Sequence, residues 1–98
     1  MIFEILQEME IPVAYGHFNS GQKPPFMVYM GAGQNTFSTD DVWTFRRNEY
    51  RIEYYFTKKD EELEDELEEL LLENGYNYTK SEDVFINEED VFVIYYDI

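Results

Sequence analysis

The chain contains no cysteine. That excludes a disulfide framework, a thiolate metal site and a cysteine nucleophile, and it fits a reducing compartment. Histidine is nearly as scarce, with His17 the only one. A lone imidazole near Ser20, with no second histidine, makes a poor zinc site and an incomplete triad. We read His17 as a packed or solvated residue at a strand end. The start, Met1-Ile2-Phe3-Glu4, has neither a basic region nor a long apolar run, so no signal peptide is expected. No stretch approaches the ~18 consecutive apolar residues of a membrane span. Positive charge is also short: seven basic residues against 22 acidic ones give a net charge of −15. Such a surface repels nucleic acid and anionic lipid at range, which argues against phosphate-backbone or membrane binding as a primary role.

What the chain does have is aromatic residues, nine Tyr and eight Phe, enough to supply buried area and half-wet interfaces in few positions. Its 98 residues suit one domain, 1–98, without repeat or linker. A domain this short buries only about 60–70% of its unfolded surface, so assembly is a natural source of further burial. The acidic balance has three readings: solubility, a lumen that must not hold DNA, or a mimic of DNA itself.

Periodicity predicts the elements. Ile2, Ile5, Leu6 and Met9 form one stripe of a short helix that Pro12 ends. Val13 to Phe18 reads as a strand, Asn19 to Pro25 as a turn-rich loop, and Phe26 to Met30 as a central strand. Gly31 to Asp41 reads as a long polar loop. Trp43 and Phe45 share one parity, and Tyr50, Ile52, Tyr54 and Phe56 the other, so a bulge or break is expected at Arg46 to Asn48. A helix follows, capped by Thr57 or Asp60, with a core stripe of Leu63, Leu67, Leu70 and Leu71 and most of its acids on the other face. Asn74-Gly75 stops it. Tyr76 to Tyr78 and Val84 to Ile86 read as short strands, and Val91 to Tyr96 as a central one. The expected fold is α+β, a mainly antiparallel sheet with two helices on one face, in the order α-β-β-β(-β)-α-β-β. Its expected core includes Leu6, Val28, Tyr50, Ile52, Tyr54, Leu63, Leu67, Leu70, Phe92 and Ile94.

Few residues suggest chemistry. Asp40-Asp41, Glu82-Asp83 and Glu88-Glu89-Asp90 lack the ligand-plus-Gly spacing of a calcium loop and read as solvated turns. Gly31-Ala32-Gly33 lacks the third Gly and the Lys of a phosphate loop. With no nucleophile–base pair, neither enzyme activity nor a metal, cofactor or small-molecule substrate is expected. Trp43, between Asp40-Asp41 and Arg46-Arg47, suits a core or an interface hot spot. Tyr55 and its neighbouring charges lie opposite the expected core face and form a second interface candidate.

Several stretches, in order, carry a likeness: Ile11-Pro12-Val13-Ala14-Tyr15 and Gly21-Gln22-Lys23-Pro24-Pro25-Phe26-Met27-Val28-Tyr29. It continues in Asn48-Glu49-Tyr50-Arg51-Ile52-Glu53-Tyr54-Tyr55-Phe56-Thr57, the Glu/Leu helix and Asn74-Gly75-Tyr76. In these, and so over nearly its whole length, the chain resembles the small tail-completion, or tail-terminator-like, proteins of long-tailed phages and prophages of Gram-positive bacteria. The resemblance implies a virion structural subunit that forms a ring, typically hexameric, at the head-proximal end of the tail tube, and so joins tail to head. It implies the same chain, the tail tube protein and head–tail connector proteins as partners. DNA would meet it only in passage through the lumen. Its place would be the tail or neck of the virion, and the host cytoplasm during assembly. No catalytic residues carry over.

On that reading the subunit or tail-protein interface is expected at Phe37, Asp40, Asp41, Trp43, Arg46 and Arg47, with Tyr55. A long loop in so small a domain tends to be functional, and a ring of acidic chains needs positive charge at its seams. The rival reading is a monomeric acidic inhibitor that imitates DNA, or another small protein-binding module.

Overall fold

The computed structural model describes residues 1–38 and 44–98. Two helices and six strands follow in the order α1 (Ile2–Gln7), β1 (Val13–Tyr15), β2 (Phe26–Ser38), β3 (Thr44–Phe56), α2 (Glu61–Glu73), β4 (Thr79–Lys80), β5 (Val84–Ile86) and β6 (Val91–Asp97). The strands form one sheet in the order β1-β2-β3-β6-β4, with β5 also paired to β6. Among the described residues only β1 and β2 run parallel. The fold is α+β.

Alternation places Met27, Ile52, Tyr54, Phe56, Ile94 and Tyr96 on one face, where they pack against Ile2, Leu6 and Met9 of the α1 segment and Leu67 and Leu71 of α2 in one core. Both helices therefore cover the same face, as expected. The core extends past the expected set. Met27, Phe56, Val93 and Tyr96 are buried as well, and so is Leu71 of the expected stripe, whereas Tyr50, Leu63, Leu70 and Phe92 are half-buried against its rim.

Helix α2 is closed at both ends by local chemistry. The Asp60 carboxylate accepts from the Leu63 amide at 3.2 Å, and acids in the first turn face the positive end of the helix dipole. At the other end Gly75, at φ +83°, lets its own amide reach the Leu72 carbonyl and the Tyr76 amide reach that of Leu71. This is a Schellman closure, which a residue with a Cβ enters at a cost.

Four expectations on local structure need correction. Residues 31–38 are not a loop: they extend β2 to Ser38 and pair with β3. The ladder irregularity sits on β2 between Gly31 and Gly33, not on β3 at Arg46–Asn48. Gly33, at φ +110°, supplies a left-handed conformation that an arginine resists. The first strand ends at Tyr15 rather than Phe18, and the strand expected at Tyr76–Tyr78 forms at Thr79–Lys80, because Tyr76 is used to close α2.

Candidate functional site

The β2–β3 hairpin is far longer than the sheet it belongs to. Strand β1 pairs with β2 only at Met27 to Tyr29, and β6 pairs with β3 only from Arg51 to Phe56. The Tyr50 amide and carbonyl exchange hydrogen bonds with Ile98 at 3.1 and 3.0 Å, and there the cover ends. Beyond it, Gly33–Ser38 and Thr44–Glu49 pair only with each other, a two-stranded ribbon that leaves both outer backbone edges unpaired among the described residues. Apart from Phe37 and Phe45 its residues are small or polar, and Gln34 donates to Asn48 across it at 2.9 Å.

Of the expected interface residues, Asp40, Asp41 and Trp43 lie outside the described residues. Phe37 pairs with Phe45 in the ladder, and Arg46 with Thr36. Arg46 is exposed on the ribbon. Arg47 has a partner within its own chain: its guanidinium donates to the Gly75 carbonyl at 3.1 Å and lies 5.2 Å from the centre of the Tyr76 ring. A cation there meets the negative end of α2 and an aromatic face. Arg47 thus fixes the base of the ribbon to the helix terminus, so that of two adjacent exposed arginines it is the one held by contacts within its own chain.

Tyr55 lies at the far end of the same hairpin, on the face away from the helices. It stacks on Phe26 at 4.8 Å, and Phe18 meets Phe26 edge-on at 5.4 Å. Its hydroxyl donates to Glu53 at 2.7 Å. Burial first, and then that hydrogen bond, push the Tyr55 phenol well above its ordinary pKa, so it stays protonated and remains a donor. These residues border a groove of about 580 Å³ between the sheet and the 16–22 loop, with Glu89 and Val91 on its other side.

A charged cluster that sequence reasoning missed lies under α2. Glu64 is buried, at 2% exposure, within a run of acids most of which were expected on the face opposite the core. Its Oε1 is 2.9 Å from Lys80 and 3.0 Å from Lys59. Lys59 also lies 2.8 Å from Oε2, as an ion pair without hydrogen-bond alignment. One turn on, Glu68 accepts from Tyr96 at 2.7 Å and Tyr78 at 3.2 Å and pairs with Lys80 at 2.7 Å. Burial works against the charge on Lys80, but the hydrogen bonds it donates to Glu68 and Glu64 outweigh it and raise its pKa. Every charge in this cluster has an opposite neighbour, and it stitches α2 to β4 and β6. The available signal was the 64/67/71 spacing, which puts Glu64 on the same line as two core leucines.

Among the described residues, no group of three or more His, Asp and Glu stands in position to hold a metal ion, and no helix is long and apolar enough to cross a membrane. Comparison with family models, curated proteins and solved structures finds no match to this chain.

Proposed function

We propose that the protein is a structural subunit of a phage or prophage tail, forming a closed ring at the head-proximal end of the tail tube and joining tail to head. The role comes from the sequence resemblance. The observation that carries it is the projecting ribbon of β2 and β3. An isolated two-stranded ribbon is marginally stable in water, and open strand edges invite pairing. A ribbon left uncovered in one chain is well suited to be covered by a neighbour. A subunit that presents a projection on one side repeats head to tail, and such contacts either close into a ring or grow into a filament. The net charge of −15 suits a lumen through which DNA must pass without adhering.

The test is the assembled mass over a range of concentrations, by sedimentation or native mass spectrometry, with electron microscopy of the product. A discrete closed oligomer that binds the end of purified tail tubes supports the reading. A monomer at every concentration and on tails overturns it, and a monomer that displaces DNA from a nucleic-acid enzyme would favour the mimic instead.

A further inference from the structure

We infer that the groove beside Tyr55 receives Arg46 from the ribbon of a second copy of this chain. The inference rests on the ring reading above and names the contact that would build it.

The groove combines two features. Its apolar border comes from Phe18, Phe26, Val28 and the ring of Tyr55, and its charge from Glu53 and Glu89. Glu53 is held in place by the Tyr55 hydroxyl. Ring faces beside carboxylates match a guanidinium, which is planar, weakly hydrated, able to stack on an aromatic ring and able to pair with carboxylates through a fixed fork of donors. An anionic ligand would meet the same two carboxylates as repulsion.

The occupant follows from where the positive charge lies. Of the seven basic residues, Arg51 pairs with Asp97, Lys59 and Lys80 pair with Glu64, and Arg47 is committed to Gly75. Lys23 and Lys58 are exposed on the body, and Lys23 is not among the groove-lining residues although its neighbours Gln22 and Pro24 are. Arg46 is exposed on the ribbon, where it can reach outward.

Geometry excludes the chain's own groove. Tyr55 pairs with Phe26 at one end of the hairpin, and Arg46 pairs with Thr36 near the other. Nine residue steps along the strand separate them, roughly 30 Å at the usual rise of about 3.3 Å per residue. Arg46 therefore meets such a groove only on another molecule. Donor and receiver are different surfaces, as a head-to-tail ring requires.

The experiment measures assembly by sedimentation for four chains: the parent, Arg46→Glu, Glu89→Arg, and both substitutions in one chain. Glu89 is chosen because it is exposed, whereas Glu53 is tied to Tyr55. Thermal unfolding followed by circular dichroism checks the fold. Each single variant is expected to weaken association at least ten-fold, and the combined variant to recover most of the loss. Glu89→Arg is the discriminating case. It makes the chain less acidic, so general charge repulsion predicts better assembly, whereas this contact predicts worse.

If a charge-reversed chain fails to fold, Arg46→Gln and Glu89→Gln replace the pair, with at least a three-fold loss expected for each. Single variants that assemble like the parent, or a combined variant as defective as either single, overturn the contact and leave the ring standing. A parent that stays monomeric overturns the ring reading and this contact with it.

Discussion

Lys80 and Glu64 meet at 2.9 Å beneath α2, the lysine one-third exposed and the carboxylate almost wholly buried. The asymmetry predicts unequal effects of removing either partner. Lys80→Met leaves a buried carboxylate with Lys59 alone and also strips Glu68 of its cation, a loss of about 2–3 kcal/mol. Glu64→Met leaves two lysines that can turn to water, and it adds apolar volume beside Leu67, so its cost should be smaller. Urea unfolding of both variants decides the order.

The same cluster sets the acid limit. Burial raises the Glu68 pKa, but hydrogen bonds from Lys80 and Tyr96 outweigh it, so the folded value lies below the ordinary 4.5. A depressed carboxylate stabilises the fold above its unfolded pKa and loses that contribution as pH falls through the folded one. Stability should therefore begin to drop below about pH 4.5, and less steeply in Glu68→Gln.

An alkaline limit comes from Tyr54. Burial, with Glu64 and Asp60 nearby, pushes its phenol from 10.0 up to about 12. A raised pKa favours the fold below the unfolded value and loses that contribution as pH rises through the folded one. The urea midpoint should fall between about pH 10 and 12, and the Tyr54→Phe variant should show a shallower fall.

Leu67 is fully buried in the line that joins α2 to the sheet. Leu67→Ala should cost about 2–5 kcal/mol, a large share of the stability of a domain this size. A loss under about 1 kcal/mol by urea unfolding would mean that the stripe is not packed as described.

Gly75→Ala tests the closure of α2 by conformation alone, since a Cβ there would meet nothing within 4 Å. The expected loss is about 1–2 kcal/mol, the cost of a left-handed non-glycine residue. Arg47→Ala should cost about 1 kcal/mol through its hydrogen bond and ring contact. A loss of assembly on Arg47→Ala without that thermal signature would contradict its role as an internal fastener.

Much of the fold was legible because burial writes a period into the sequence. The leucines of α2 and the alternation of Ile52, Tyr54 and Phe56 mark faces that must be dry. The ribbon was illegible for the same reason. Residues such as Gly33, Gln34, Asn35 and Thr36 face no core within the chain, so nothing requires them to alternate, and their composition imitates a loop. Arg46 and Arg47 stood out by charge, but sequence treats neighbours alike, and only the fold shows that Arg47 is already engaged. Glu64 was hidden among acids of the same type, because the partner that lets it be buried, Lys80, lies sixteen residues away.

The position of β6 bears on how the chain acquires its structure. The β2–β3 hairpin joins segments adjacent in sequence, but β6 must return across as many as 46 residues to pair with β3, as Arg51 and Asp97 do. Contacts of such separation form late, after their closure entropy has been met. Strands β4 and β5 pair only with β6, so they too wait for it. During synthesis, the hairpin would emerge before β6, with the Arg51–Phe56 edge open and its apolar face incompletely covered. A chain halted before Val91 should accumulate in that form and aggregate through the open edge, whereas adding Val91–Asp97 should restore solubility.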